Sequence, residues 1–313
     1  MATSQDFVNW VCSKHLDHNF LKYLFIAEDE DLLRFASGSV HQTIYFPEVK
    51  AFHICHPSLR EQQRIVSILD EAFKGIATAK ANAEKNLQSA RALFESHLQS
   101  IFTKYGKEWM EKPLSELCDI KHGFAFDGAD FSGDVPEGNS LVITPGNFTE
   151  DGRVLFNEKN TKRFNGNPPV GFLFDVGDLV VVMTDLSSKM KILGKPAFVE
   201  TSDVLHNQRI GRVVFTDNQI EKRFVYYFMM SEGFLKNIKT SATGTMVKHT
   251  APKRILSNII PFPSDRKEQR AIVDTLDALR EETQRLESIY ERKLAALEAL
   301  KKSLLHQAFT GQL

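Results

Sequence analysis

EQQRIVSILDEAFKGIATAKANAEKNLQSARALFESHLQSIFT occupies residues 61–103, and EQRAIVDTLDALREETQRLESIYERKLAALEALKKSLLHQAFT occupies residues 268–310. The two stretches align without a gap at an offset of 207, and fourteen of the 43 positions are identical. Glu61/Glu268, Gln62/Gln269, Ile65/Ile272, Val66/Val273, Leu69/Leu276, Asp70/Asp277, Phe102/Phe309 and Thr103/Thr310 are among them. Just upstream, HPSLREQ (56–62) faces FPSDRKEQ (262–269) with one residue inserted. Further back, SGSV (37–40) faces TGTM (243–246), and NFLKYLF (19–25) faces RFVYYFM (223–229). A repeat of this length, a globular tail plus a long segment, marks two large modules and not a stack of short units.

Both long segments read as amphipathic helices. Apolar or small residues fall at Ile65, Leu69, Ala72, Ile76, Ala79, Ala83, Leu87, Ala90, Leu93 and Leu98 in the first. The second has Ile272, Leu276, Leu279, Thr283, Leu286, Tyr290, Leu294, Leu297, Leu300 and Leu305. Steps of three and four alternate as in a coiled-coil seam, with Ile65, Leu69, Ile76, Leu87 and Leu93 facing Ile272, Leu276, Leu286, Leu294 and Leu300. Both copies share two consecutive steps of four (79 to 83 to 87, and 286 to 290 to 294), a stutter that unwinds the supercoil locally. Ser58 and Glu61 make an S-x-x-E capping box, whereas Lys267 leaves the second box incomplete. Gly106 and Gly311 stand as stop signals beyond the last turns. Each helix is about 65 Å long at 1.5 Å per residue. Two copies in one chain, separated by a globular insert, predict an internal antiparallel pair.

The insert, residues 107–263, reads as a mixed α/β module, so the fold class is α+β with two long helices. LVIT (141–144), DLVVVM (178–183) and GRVVF (211–215) have strand character, and Asp151-Gly152 and Gly177-Asp178 mark turns. EKRFVYYFMMSEGFLKNI (221–238) reads as helix, with Phe224, Tyr227, Phe228, Phe234 and Leu235 toward one side. The insert holds 19 basic and 19 acidic residues, so any attraction to a polyanion must be local. Gly233 to Ser264 contains no acid yet carries Lys236, Lys239, Lys248, His249, Lys253 and Arg254. Leu186 to Val199 is also acid-free and carries Lys189, Lys191 and Lys195. With Arg209, these are candidate contacts to a phosphate backbone, while Thr243 and Thr245 in the TSATGT loop (240–245) are placed to approach base edges. The four expected segments are 1–57, 58–106, 107–263 and 264–313.

Catalytic constellations are lacking. Asn167-Pro168-Pro169-Val170 has the outline of the NPP[YF] motif of amino-methyltransferases, but Val170 stands where the base-stacking aromatic belongs. A proline turn is the better reading. No GxxxxGK[ST] loop exists, and Asp119-Ile120-Lys121 has no partner acid of a nuclease site. Cys12, His15 and His18, like His53, Cys55 and His56, lack a second ligand pair at metal-site spacing. No catalytic residue, no metal and no cofactor is therefore expected. Three cysteines without CxxC spacing fit a reducing cytoplasm, no apolar run is long enough for a membrane span, and MATSQDFVNW lacks signal-peptide character.

PSLREQQRIVSILD (57–70) and PSDRKEQRAIVDTLD (263–277), each opening a long helix, together resemble the specificity subunit of type I restriction–modification enzymes. WMEKPLSELCDIKHGFAF (109–126), FDVGDLVVVM (174–183), HNQRIGRVVF (206–215) and the closing HQAFTGQL (306–313) extend the resemblance over essentially the whole chain. The resemblance implies a non-catalytic adaptor with two target-recognition domains, each reading half of a bipartite site in double-stranded DNA. It implies helices that pack antiparallel as a spacer of about two DNA turns. Its implied partners are methyltransferase subunits and a motor-nuclease subunit. Residues 1–57 match only the region near 219–263 of the second copy. The expectation is a truncated product, a half-subunit completed by a second specificity fragment or by itself, or a recombination cassette. The alternatives are a divergent adenine-specific methyltransferase and a coiled-coil remnant. In the incomplete module, Phe20, Leu24 and Leu32 of DHNFLKYLFIAEDEDLLRFA (17–36) are expected to present an apolar face in need of a partner.

Overall fold

The computed structural model describes residues 7–38, 42–130, 139–216 and 218–313. In chain order the elements are α1 (His18–Glu28), α2 (Phe46–Lys50), α3 (Leu59–Thr103), β1 (Met110–Pro113), β2 (Cys118–His122), β3 (Leu141–Ile143), β4 (Leu179–Val182) and β5 (Thr184–Asp185). They continue with β6 (Pro196–Phe198), β7 (Val204–His206), β8 (Ile210–Phe215), α4 (Lys222–Met230), α5 (Glu232–Ser241), β9 (Lys248–His249), α6 (Pro252–Leu256), β10 (Ile259–Phe262) and α7 (Arg266–Phe309). Two compact units result: residues 1–91 with 284–313, and residues 92–283.

In the first unit, α3 and α7 run antiparallel. Lys80 pairs with Glu298 at 2.6 Å, and Arg91 pairs with Glu287 at 3.1 Å. One residue number rises as the other falls, which only an antiparallel pair allows. At the repeat offset, Lys80 corresponds to Glu287 and Arg91 to Glu298. The repeat thus maps one ion pair onto the other with its charges exchanged. Phe20, Tyr23, Ile65, Val66, Leu69, Leu305 and Ala308 form the core. Phe20 is therefore buried, its ring 5.2 Å from that of Phe309, because the N-terminal segment folds onto the long helices. Leu24 and Leu32 are only partly buried, and the stretch 17–36 divides into α1 and a 3₁₀ turn at Asp29–Phe35.

The seam differs from the sequence reading at one pair of equivalent positions. Ile65, Leu69, Ile76 and Leu276 are buried, and Leu87, Ile272, Leu286 and Leu294 are partly so. Leu93 and Leu300, however, are 53% and 48% exposed. Leu93 lies three residues beyond buried Ala90, about 60° behind it on a helix of 3.6 residues per turn, while Phe94 and Leu98 fall ahead of it and take the seam. Ala83 at 0% exposure and Ala90 at 6% show that small residues occupy the contact.

The helix ends also differ. The Glu61 carboxylate turns to Arg64 at 2.6 Å, so the capping box is not reciprocal. Asp265 Oδ1 accepts from Lys267 N at 2.9 Å and caps α7 in place of Ser264. Gly311 adopts the left-handed φ of 76° of a helix stop, whereas Gly106 is absent from the left-handed glycines.

In the second unit, β2, β8, β4 and β6 form a four-stranded antiparallel sheet in that order. Both its faces are covered. Leu179 and Val181 of β4 face a core containing Ile120, Val213, Phe224, Tyr227 and Phe234. Val180 and Val182 face a second core with Ile143, Phe174 and Ile210. Alternation of side chains across a strand buried on both sides explains why LVVV reads as an unbroken apolar run. The expected helix 221–238 breaks at Ser231, whose extended backbone ends α4 and whose hydroxyl caps α5 by accepting from Phe234 N.

The two units repeat each other's contacts. Gln62, fully buried, accepts from Asp17 N at 2.8 Å and donates to His15 O and Pro57 O, both at 2.9 Å. Gln269, equally buried, accepts from Glu221 N at 2.8 Å and donates to Gln219 O at 2.9 Å and Pro263 O at 2.8 Å. Tyr23 donates to Asp70 as Tyr227 donates to Asp277. The 5.4 Å contact of Phe224 with Phe102 matches that of Phe20 with Phe309.

Candidate nucleic-acid interface

The two acid-free windows, far apart in sequence, meet through a short pairing. Thr184 and Asp185 of β5 lie opposite His249 and Lys248 of β9. Thr184 Oγ1 is 3.0 Å from His249 Nδ1, and Thr250 N donates to Met183 O at 2.9 Å. Met183 N in turn donates to Arg209 O at 2.9 Å, which brings exposed Arg209 to the same region.

Two backbone devices shape the exposed loops. Thr243 and His249 exchange hydrogen bonds of 3.0 and 2.9 Å, closing a hairpin around Gly244 to Val247. Gly244 has a φ of 95°, and a Cβ there would stand 2.0 Å from Val247 O, so only glycine fits the turn. Lys248 Nζ donates to Gly244 O at 2.8 Å, which makes it part of the hairpin as well as a cation. On the other side, buried Asp185 accepts from Ser187 N at 2.7 Å and Ile192 N at 3.0 Å, folding the loop that carries exposed Lys189. Asp185 escaped the sequence reading because a lone acid before a basic window carries no pattern. Leu186, Met246 and Val247, 63%, 79% and 37% exposed, escaped for the same reason.

The remaining candidates divide. Lys195, Lys236 and Lys239 line a cavity with Glu95 and Glu232 beside α3. Burial, reinforced by Lys239, pushes the Lys195 amine down to about 8. Lys191 pairs with Glu150 at 2.6 Å. Lys253 is exposed and Arg254 half-buried on α6. The strongest convergence is therefore Lys189, Arg209, Thr243, Thr245, Lys248 and His249. Asn167 to Val170 lies in a loop, and Val170 is 98% exposed. Among the described residues, no three His, Cys, Asp or Glu side chains are grouped to hold a metal, and no helix is long and apolar enough to cross a membrane.

The described residues thus combine a duplicated helix-anchored module with an exposed hairpin flanked by cations. The family model described as the type I restriction modification DNA specificity domain matches residues 1–87 and 106–294, and the chain belongs to that family. The two matched segments follow the internal repeat. The chain is 22% identical over 225 residues to the EcoBI specificity subunit of Escherichia coli, covering 72% of this chain and 43% of that one. It is 26% identical over 274 residues to the MjaVIII specificity subunit of Methanocaldococcus jannaschii, covering 82% and 61%. It thus spans less than two thirds of the length of either curated relative. A structure from work on complex assembly and conformational transition of the type I R-M system matches with a TM-score of 0.73 at 17% identity, covering 96% of this chain and 73% of that one. The HsdS subunit of Thermoanaerobacter tengcongensis matches at 0.55 and 18%, covering 96% and 72%. These likenesses show the same α+β fold with its long paired helices.

Proposed function

We propose that this protein reads DNA sequence for a type I restriction–modification complex and does no chemistry itself. The module 107–263 reads one half of a bipartite site, and α3 with α7 sets the distance to the other half and docks methyltransferase and motor-nuclease subunits. The protein works in the cytoplasm. The β5–β9 pairing carries the reading, because it turns two separate acid-free windows into one exposed surface of cations around a polar hairpin. Cations such as Lys189 and Arg209 neutralise phosphates without regard to sequence, while Thr243 and Thr245 meet base edges.

The test is co-expression with candidate methyltransferase subunits, followed by sequencing of methylated adenines. Methylation at a defined sequence that changes when Thr243 and Thr245 are replaced supports the proposal. Adenine methylation by this protein alone, or binding of the methyl-donor cofactor by it, overturns it in favour of an enzyme.

A further inference from the structure

The register of the β5–β9 pairing gathers three apolar side chains that the cores of the second unit leave out. Asp185 lies opposite Lys248, so the next step along the ladder sets Leu186 opposite Val247. Met246 follows at the middle of the hairpin that Thr243 and His249 close. Leu186 and Met246 are 63% and 79% exposed, Val247 is 37% exposed, and none of the three packs in a core of that unit. Single exposed apolar residues are ordinary on a protein surface, but a group of large ones brought together marks a contact site.

The backbone beneath the group is held from both sides. Leu186 stands between Asp185 and Ser187, and the buried Asp185 carboxylate accepts from Ser187 N and Ile192 N. Across the ladder, Val247 O closes on Gly244, and Lys248 Nζ donates to Gly244 O. The apolar side chains are therefore presented on fixed supports. Exposed Lys189, Arg209 and His249 lie around them, and Asp185, the nearest acid in sequence, is turned inward onto amides. A protein partner would need an apolar face with an acidic rim. Duplex DNA supplies that combination everywhere, since two anionic phosphate rails flank an apolar stack of bases.

We propose that Met246, backed by Leu186 and Val247, is a wedge that enters a base step of the bound DNA, partly unstacking it and bending the duplex. Methionine is unbranched and adapts to an irregular gap, and apolar wedges of this kind kink DNA by roughly 20–90°. Unstacking costs least at the flexible pyrimidine–purine steps TA and CA/TG. The element read by residues 107–263 therefore contains such a step beneath Met246, selected by its deformability and not by a hydrogen bond. The proposal rests on this surface being the one that reads DNA, and adds to it a second source of sequence preference beside Thr243 and Thr245.

The test uses the full chain co-purified with methyltransferase subunits, on duplexes carrying the sequence that the assembly methylates. 2-Aminopurine replaces each adenine of the specific element in turn, apart from the methylated one, and dyes at the duplex ends report bending by energy transfer. The expected result is increased fluorescence at one pyrimidine–purine step together with a bend. Met246→Ala returns that step to the free-duplex signal and reduces the bend, whereas Met246→Leu keeps both. Met246→Ala also weakens binding to that sequence by about tenfold, the loss from leaving one apolar side chain unburied. The slope of log affinity against log salt stays the same, because no phosphate contact is removed. Sequence-specific binding in which no step responds to Met246→Ala overturns the wedge alone. So does a loss of affinity when a thymine is replaced by uracil while every step stays stacked, which makes Met246 a reader of methyl groups. Failure of Met246→Ala to co-purify with methyltransferase subunits makes the patch a protein contact and also overturns it. Absence of any sequence-specific binding overturns the DNA reading itself.

Discussion

Among single residues, the buried glutamines explain most about how each module is joined to its helix. One amide holds three backbone groups from two segments, and glutamine is long enough to reach them from the first helical turn. Truncating Gln269 to alanine strands those groups away from water, at 1–3 kcal/mol for each buried group left unpaired. We expect Gln269→Ala to destabilise the second unit by about 3 kcal/mol in urea unfolding, with Gln62→Ala having the same effect in the first. His206 supplies a pH signature. It is 3% exposed, its Nε2 lies 2.8 Å from Ile210 O, and burial pushes its imidazole down to about 4. The unfolded chain therefore binds the extra proton between pH 6.5 and pH 4. The neutral ring's contribution is present above pH 6.5 and is lost as pH falls through 4, a change of about 3 kcal/mol. His206→Gln should flatten that part of the urea-derived stability profile relative to the unmodified protein.

For the elements, the hairpin and the loop behind β5 divide the work of contact. Gly244→Ala forces a Cβ against Val247 O and should open the hairpin while leaving both sheet cores intact. The expected result is loss of sequence preference in DNA binding with little change in melting temperature, read by competition binding and thermal unfolding. Lys189→Ala and Arg209→Ala should each weaken binding to all sequences alike. Each should reduce the slope of log affinity against log salt by about one, the signature of one lost phosphate contact. Lys248→Ala is a less clean probe, since its ammonium also ties down Gly244 O.

For the whole molecule, duplication has made one chain from two modules built on the same contacts, and among the described residues the four-stranded sheet lies in the second. We expect methylated sites to contain one specific element when this chain alone joins methyltransferase subunits. Sequencing of the methylated adenines checks this.

The repeat alone determined the two helices, their antiparallel pairing and the modular plan, because long amphipathic periodicity is local and an offset of 207 is visible without coordinates. The α+β class followed from strand-like runs between turn signals. Only the tertiary structure decided that Leu93 and Leu300 leave the seam, since three-residue steps are ambiguous until a partner helix selects a face. Only it decided that Phe20 turns inward onto Phe309 and that Asp185 folds the basic loop. The candidate site was legible as composition, a dearth of acids in two windows, but not as a surface. Its assembly depends on β5 meeting β9 across more than sixty intervening residues, a long-range hydrogen-bonded pairing that no local pattern encodes.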